Sequence, residues 1–264
     1  MKAVAAVNKN TVVVVHTTGP ILLEAFADIA NVKAIVWAGL PGQEAGNSLV
    51  DILYGDVSPS GKLPYTIARA AKDYGTTIQA NIDNFPEGLF IDYRNLDKNG
   101  ITPRYEFGFG LSMYNSVKIT TFLANVLPAY TNFTYSDLAI MGSPTSGPQS
   151  GATIPGGASS LFDVVATVTA KITNVGSVTA AEVAQLYVGL PMSAPTTPIK
   201  QLRGFQKPLI KPGEIAGVKF ELRRKDLSYW DVGTKKWVLP PGSFEIAVGA
   251  SSRNLGLRGN LEVL

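Results

Sequence analysis

The sequence contains no cysteine and only one histidine, His16. Without cysteine the chain can form neither disulfides nor thiolate metal sites. A single histidine cannot by itself complete a serine-histidine-aspartate triad or a metal site. His16 also ends a strongly apolar stretch, so we expect it to be a packed or hydrogen-bonded structural residue. The composition thus predicts no metal and no cofactor.

Long apolar runs and an excess of one charge are also missing. No segment approaches the ~18 apolar residues of a transmembrane helix. Asn8, Lys9 and Asn10 interrupt the short apolar start, which does not suit a signal peptide. The chain has 23 basic and 20 acidic residues, and basic residues cluster only at 223–225 and 235–236. We therefore expect neither a membrane span nor a nucleic-acid partner.

Strands and helices alternate in the first part of the chain. The runs TVVVVH at residues 11–16 and KAIVWA at 33–38 are continuous and rich in β-branched residues, as in strands covered on both faces. Apolar residues three and four positions apart predict one helix after each strand. Their positions are Leu22, Ala25, Phe26 and Ile29 in the first helix, and Ala45, Leu49, Ile52 and Leu53 in the second.

This order predicts a parallel sheet with right-handed crossovers. Two strands, however, are too few to form a sheet that buries both of its faces. The outer edge of each strand would present unpaired backbone groups to water or to another chain. We therefore predict that residues 1–70 are marginally stable on their own and that they associate through the open sheet edge.

The last part of the chain, from residue 133, alternates apolar and polar residues as an antiparallel sheet does. Turn sequences at 174–176 and 240–242 separate the runs. About seven or eight short strands suit an immunoglobulin-like sandwich. Residues 142–160, rich in Gly, Ser and Pro, predict a mobile loop. The alternating apolar positions are Val164, Ala166, Val168, Ala170 and Ile172, then Val218, Phe220 and Leu222, and finally Phe244, Ile246 and Val248.

An irregular segment, residues 71–132, joins the two parts. Stretches such as NLDKNG and many Pro, Gly and Asn residues indicate loops rather than helices or strands. Residues 113–132 are expected to be an insertion. Asn132 begins an Asn-Phe-Thr glycosylation sequon, which would suit a secreted chain.

Two sequences carry a resemblance to a known family. Residues 39–66 read GLPGQEAGNSLVDILYGDVSPSGKLPYT, and residues 87–112 read EGLFIDYRNLDKNGITPRYEFGFGLS. Both resemble the C-terminal third of fungal-type glycoside hydrolase family 3 β-glucosidases. The chain's end, from QLRGFQKPLIKPGE to LPPGSFEIAVGASS, resembles the fibronectin type III-like domain that ends many of these enzymes.

The resemblance implies an α/β plus all-β fold. An incomplete layered α/β sandwich with parallel strands would be followed by an immunoglobulin-like, fibronectin type III-like β-sandwich. Residues 1–70 would form the C-terminal part of the α/β domain, which in the family has more strands than are found here. Residues 71–132 would link it to the fibronectin type III-like domain at 133–264.

The resemblance also implies that the catalytic groups lie elsewhere. A retaining glycosidase uses two carboxyl groups about 5 Å apart. In family 3 the nucleophilic aspartate belongs to an N-terminal barrel, and the acid/base glutamate lies upstream of every segment that matches here. We therefore predict that the chain holds no catalytic residue and is the tail of a longer enzyme.

A rebuilt active site would require two carboxylates to converge, and nothing in the sequence brings them together. The carboxylates in question are Glu44, Asp56, Glu87, Asp92 and Glu106. Glu44 is expected to favour the helix dipole in a first helical turn, and Gln43 to support the preceding turn. The motifs Asp92-Tyr93-Arg94 and Arg104-Tyr105-Glu106 are expected to form salt bridges between loops.

Three tryptophans could stack on sugar rings. Trp37 lies in a predicted buried strand and Trp237 in an alternating one, so both are expected in the core. Trp230, with Tyr229 beside it, is expected at the surface and is the better candidate for carbohydrate contact.

Three functions remain open. The parent protein could be a secreted β-glucosidase that releases terminal glucose from cellobiose or short β-glucans by double displacement, with this chain as a non-catalytic support of its cleft. The chain could instead be an independent module that binds polysaccharide or a partner protein. It could also be a short hydrolase with a rebuilt site.

Overall fold

The computed structural model describes residues 1–77, 84–110 and 131–264. The predicted insertion falls outside the described residues except at its end. Among the described residues no helix has the length and apolar character needed to cross a membrane. The first region, residues 1–110, contains α1 (Lys2–Val7), β1 (Thr11–His16), β2 (Val32–Gly39), α2 (Ala45–Tyr54) and α3 (Tyr93–Lys98).

The second region begins at residue 131 and consists of strands and short turns. Its strands are β3 (Phe133–Met141), β4 (Gly147–Pro148), β5 (Thr153–Ile154), β6 (Gly157–Ala158), β7 (Val164–Asn174), β8 (Ala180–Ala181), β9 (Ala184–Gly189), β10 (Gln201–Gln206), β11 (Leu209–Ile210), β12 (Ile215–Arg223), β13 (Tyr229–Asp231), β14 (Lys236–Leu239), β15 (Gly242–Gly249) and β16 (Leu257–Val263).

The parallel pairing of β1 and β2 is confirmed, with Val13 opposite Ile35 and Val15 opposite Trp37. Inward side chains of β1 pack with the connection between the two strands, where Leu23 and Phe26 are buried. The two strands form a sheet of their own in the described part of the chain. The first region therefore has a small core on only one side of a small sheet.

The helix predicted between β1 and β2 is wrong. Residues 24–28 form turns, in which the amides of Phe26 and Ala27 donate to the carbonyl of Leu23 at 3.0 and 2.8 Å. Leu22, which the prediction placed on the buried face, is 41% exposed. Only two side chains of this stretch reach the core fully, which is too little burial to offset the cost of helix nucleation.

The second predicted helix is confirmed as α2, and Gly55 ends it in the left-handed conformation with φ of 88°. The apolar positions Leu49, Ile52 and Leu53 are half-buried, and no residue of α2 is fully buried. In β2 only Val32 is buried. The side chains that the sequence marks as core are thus incompletely covered in this chain.

The segment predicted as irregular contains a short helix, α3. The Asp92 carboxylate caps it by accepting from the amide of Tyr93, and Tyr93 and Leu96 are buried beneath it. Asn99 and Gly100 then end it. The loop-forming residues of NLDKNG therefore mark the end of a helix, and burial of Tyr93 and Leu96 stabilises a turn that local propensity alone would not.

The second region is a β-sandwich of two antiparallel sheets, with strand orders β10-β9-β15-β16 and β12-β7-β3. Apolar side chains of both sheets form one core, and the predicted alternation is confirmed except at Val164, which is 50% exposed. Side chains that are fully buried in this core include Val168, Ile172, Leu186, Val188, Leu222, Phe244, Ile246 and Val248.

The sequence predicts a mobile loop at residues 142–160, and the structure has three short strands there. These are β4, β5 and β6, and β4 joins β14 and β13 in a three-stranded sheet. The amide of Ser146 donates to the carbonyl of Leu264 at 2.7 Å, and that of Gln149 to Trp237 at 2.7 Å. Gly and Pro therefore form tight turns in this stretch. The backbone of the stretch hydrogen-bonds to residues that are distant in the sequence.

Candidate functional site

The carboxylates that could form a rebuilt active site have separate surroundings. The Asp92 carboxylate accepts from the amide and hydroxyl of Thr66 at 2.9 and 2.6 Å. Glu106 accepts from the hydroxyl of Ser251 at 2.6 Å, and exposed Glu44 accepts from the side-chain amide nitrogen of Asn47 at 2.6 Å. These three carboxylates share no hydrogen-bond partner in the described residues. Asp56 is exposed and Glu87 is half-buried.

The carboxyl edge of the parallel sheet presents several exposed polar groups. His16 lies at the end of β1 opposite Gly39 and is exposed, so the expectation that it is packed is wrong. Gln43 and Glu44 follow in the turn after β2 and are exposed as well. In open α/β sheets, ligands bind at this edge. No group of three or more metal-binding side chains occurs within the described ranges.

The contact surface between the first region and the sandwich, which we call the junction, contains a buried ion pair. The Lys62 ammonium lies 3.3 Å from the Glu182 carboxylate, which is fully buried, and Tyr135 donates to the same carboxylate at 2.8 Å. Burial lowers the pKa of Lys62 even though Glu182 opposes that shift. Burial raises the pKa of Tyr135, and the negative charge of Glu182 adds to it.

Tyr93 forms an aromatic contact across the same junction. Its ring lies 4.9 Å from that of Phe107 and 6.0 Å, edge-on, from that of Tyr187 in β9. Its hydroxyl oxygen accepts from the amide of Leu202 in β10 at 3.0 Å. The Asp-Tyr-Arg motif therefore docks the first region on the sandwich.

The first glycine of the Gly-Phe-Gly motif, Gly108, is required by a close backbone contact. Its φ is 77°, and a Cβ there would lie 2.1 Å from the side-chain oxygen of Gln185. The side-chain amide of Gln185 donates to the carbonyl of Gly108 at 3.0 Å and to that of Ala250 at 2.8 Å. Only glycine lets the backbone approach β9 this closely.

The predicted salt bridges are confirmed for the Arg104 motif, whereas the Asp92-Tyr93-Arg94 motif forms none with the residues that the structure describes. Arg104 binds Asp28 with two hydrogen bonds, at 2.7 and 2.8 Å. That contact raises the pKa of Arg104. Arg94 forms no ion pair among the described residues, and Asp92 binds Thr66 instead of a cation. The sequence did not distinguish the two cases because both motifs place charges next to a tyrosine.

Sequence reasoning missed Asp97 as a second ionic link. Its carboxylate lies 2.5 Å from the ammonium of Lys200 and 3.0 Å from the guanidinium of Arg253, both in the sandwich. The partners are 103 and 156 positions away in sequence. No local pattern could have indicated such contacts.

The three tryptophans differ in exposure. Trp37, which was also expected in the core, is half-buried and packs against the core of the first region; its indole nitrogen donates to the hydroxyl of Tyr65 at 2.7 Å. Trp237 is half-buried rather than in the core, because it pairs edge-on with Trp230 on the small β13-β14 sheet, with ring centres 5.8 Å apart. Trp230 is 47% exposed, as predicted, and Tyr229 is half-buried. The pair leaves an open indole surface.

A cleft of about 340 Å³ opens beside the junction, between the start of α3 and β10. Tyr93, Phe107 and Leu202 supply apolar walls, and Arg94 and Asp92 supply charge. Asp92 has φ of 52°, an uncommon conformation for a residue other than glycine.

Comparison with known proteins places this geometry in a family. The family model of the glycosyl hydrolase family 3 C-terminal domain matches residues 1–113, and that of the fibronectin type III-like domain matches residues 182–252. Probable beta-glucosidase L of Aspergillus terreus is 59% identical over 100% of this chain and 34% of its own length. Beta-glucosidase cel3A of Pyricularia oryzae is 54% identical over the same shares.

A solved structure agrees with these relatives. The crystal structure of Beta-D-glucoside glucohydrolase from Trichoderma reesei superposes with a TM-score of 0.92 and is 54% identical, covering 100% of this chain and 35% of that one. The chain thus spans about a third of the length of its relatives. Residues 1–113 belong to the glycosyl hydrolase family 3 C-terminal domain, and the whole chain corresponds to a C-terminal portion of fungal family 3 β-glucosidases.

Proposed function

We propose that this chain is the non-catalytic C-terminal part of a β-glucosidase that releases terminal glucose from cellobiose and short β-glucans by retaining double displacement. The observation that carries the proposal is the match of the entire chain to one third of enzymes named β-glucosidases. The separate surroundings of Asp92, Glu106 and Glu44 support the view that the catalytic carboxylates come from elsewhere.

The chain's role in such an enzyme is to complete a domain and support the cleft. The half-buried faces of α2 and β2 suit a larger α/β domain that covers them. The exposed groups at the carboxyl edge, His16, Gln43 and Glu44, are in the position where an α/β sheet contributes to a ligand site.

The proposed domain limits are residues 1–70, 71–132 and 133–264. The start of β3 at Phe133 supports the last of these limits. An extracellular location and glycan attachment at Asn132 are also proposed, from the family resemblance and the sequon. Self-association through the open edge of β2 is the expected behaviour of the chain when nothing covers that edge.

Two hydrolysis experiments test the proposal. The purified 264-residue chain is incubated with an aryl β-glucoside and an aryl β-xyloside, and no turnover above buffer is expected. The chain then replaces the corresponding third of the Aspergillus terreus relative, and that chimera is expected to hydrolyse the glucoside. Turnover by the chain alone that a competitive sugar inhibitor blocks, or an inactive but folded chimera, would refute the proposal.

A second candidate function is carbohydrate binding by the sandwich. The exposed Trp230 beside Trp237 favours it, because flat aromatic faces suit apolar sugar faces. Co-sedimentation with insoluble β-glucan tests this function. Trp230→Ala is expected to release the chain, whereas Phe205→Ala, which removes another exposed ring at 68% exposure, is expected to leave it bound. Equal binding by both variants would exclude the tryptophan surface.

A further inference from the structure

The basic cluster at residues 223–225 lies beside the small sheet that β4, β14 and β13 form. The Lys225 ammonium lies over the ring of Trp237 in β14, 5.3 Å from its centre. A terminal nitrogen of Arg224 donates to the backbone carbonyl of Gly147 in β4 at 2.8 Å. Two cations therefore border this sheet through contacts that carry no negative charge.

The carboxylates near the cluster leave both cations without an ion pair. None lies within ion-pair distance of either cation among the described residues. The Asp226 carboxylate accepts from a backbone amide at 2.8 Å, and exposed Asp163 contacts Arg224 through its backbone carbonyl. Asp231 accepts from amides of its own turn. Because side chains alternate along a strand, Asp231 also projects from the face opposite to that of Trp230.

The aromatic surface beside these cations is open. Trp230 and Trp237 are direct partners across β13 and β14, so their side chains share one face of the sheet. Their rings meet edge-on, and Trp230 stays 47% exposed. The Lys225 ammonium also lies 5.9 Å from the ring centre of Phe162. The side-chain oxygen of Gln149 accepts from the amide of Trp237 at 3.4 Å. Flat rings, a cation and a side-chain amide are thus combined at one surface.

We propose that this surface binds an acidic polysaccharide, with the apolar face of a uronic acid residue against Trp230 and its carboxylate against the Lys225 ammonium. Indole rings offer a flat apolar surface to a sugar ring, and a lysine ammonium pairs with a carboxylate as a compact charge. A neutral glucan would leave both cations of the surface without a counter-charge. Charge complementarity therefore favours a uronic acid polymer. The inference rests on the carbohydrate-binding candidate function and specifies its ligand.

Polygalacturonate and its fully methyl-esterified form are matched probes, since they share a backbone and differ in charge. Titration calorimetry of the full 264-residue chain is expected to detect the acid and to give at least about tenfold weaker binding of the ester. Tryptophan fluorescence is expected to change when the acid binds, because a sugar covers an indole ring. Added salt is expected to weaken the binding of the acid, since the surface is exposed to solvent.

Variants separate the charge from the rings. Lys225→Gln is expected to weaken polygalacturonate binding about tenfold, because it removes a charge-assisted contact. Lys225→Arg keeps the charge, is expected to retain most of the affinity, and guards against a fold defect in Lys225→Gln. Lys207→Gln removes an exposed lysine between β10 and β11 and is expected to change nothing. Trp230→Ala is expected to weaken binding and to reduce the fluorescence change. Melting temperatures verify that each variant folds.

The outcomes distinguish this inference from the candidate function on which it rests. Equal binding of the acid and the ester, or binding of β-glucan alone, would overturn the inference and leave carbohydrate binding in place. Binding of none of the three polymers would overturn both. Full affinity of a folded Trp230→Ala chain for polygalacturonate would also overturn the inference, because charge alone would then hold the polymer. Tighter binding to phosphatidylserine vesicles than to polygalacturonate would overturn it in favour of a membrane surface.

Discussion

Two apolar strands of this chain, β2 in the first region and β9 in the sandwich, have contrasting burial. All six residues of β9 are buried, whereas only one of the eight in β2 is. β9 lies between β10 and β15 and is covered by a second sheet, while β2 pairs only with β1 in the described part of the chain. An apolar strand sequence thus predicts that the strand's side chains are buried in the complete fold. The neighbouring elements decide how many of those side chains are buried in this chain.

The junction holds the two regions together, and its ion pair should produce the largest effect. Lys62→Met removes the cation beside the buried Glu182 carboxylate, which is expected to cost about 3–5 kcal/mol in the free energy of unfolding. Urea titration measures it. Lys171→Met, which breaks the exposed pair with Asp137, should cost less than about 1 kcal/mol.

A double variant sharpens that test. Replacing Glu182 by Gln in the Lys62→Met background removes the buried negative charge and is expected to recover part of the lost stability. If Lys62→Met is as harmless as Lys171→Met, the junction does not hold the regions together.

Core truncation compares the two regions directly. Leu186→Ala in β9 empties a fully buried site and is expected to cost about 2–5 kcal/mol. Leu53→Ala in α2 removes a half-buried side chain and should cost about 1 kcal/mol or less, because little burial is lost. Urea unfolding of both variants measures the difference. Equal costs would mean that α2 is covered as well as the sandwich core.

A glycine substitution tests the close approach of the regions. Gly108→Ala forces a Cβ onto Gln185 and is expected to cost about 1–3 kcal/mol beyond the conformational strain. Gly100→Ala has the same positive φ but open space around it, so it carries the strain alone. Thermal unfolding of the two variants separates the clash from the strain. Identical melting temperatures would contradict the contact with Gln185.

High pH should lower the free energy of unfolding through two tyrosines of the sandwich. Burial raises the pKa values of Tyr135 and Tyr187 above the ordinary 10.0, so the folded state retains protons that the unfolded state releases. The stability from these phenols is full below pH 10 and falls as pH rises beyond it. The free energy of unfolding is measured from pH 9 to 12. Tyr135→Phe should reduce the slope, and an unchanged slope would contradict the assignment to Tyr135.

The smallest expected effect concerns the open edge of β2. If chains associate through it, amide exchange in β2 slows as protein concentration rises, while exchange in β9 stays constant. Hydrogen exchange detected by mass spectrometry at several concentrations measures this. Concentration-independent exchange in β2 would contradict association through that edge.

Prediction from the sequence was most successful where side-chain periodicity alone defines a strand or helix. The β1, β2 and α2 segments and the alternation in β7, β12 and β15 were predicted because each pattern reports its own buried face. The helix predicted at Leu22 failed because spacing does not reveal whether a partner covers the face. The α3 helix was missed for the converse reason, since burial of Tyr93 and Leu96 stabilises residues with loop-like composition.

The candidate sites were less predictable than the fold. Trp230 was correctly expected at the surface, but Trp237 is half-buried, and His16 is exposed because β1 ends at an uncovered edge. The predicted charge pairs were assigned by proximity in sequence. The structure pairs Arg104 with Asp28, which is 76 positions away, and leaves Arg94 without an ion pair in the described residues.

By itself the sequence determined the strands β1 and β2, the helix α2, the sandwich class and, through its motifs, the family. Those features follow from local periodicity and from short runs of adjacent residues. Only the tertiary structure decided that Lys62 meets Glu182 across 120 positions, that Gly108 approaches Gln185, and that the Tyr93 hydroxyl reaches the amide of Leu202. Such contacts depend on how separate elements pack, and no local pattern encodes the distance between them.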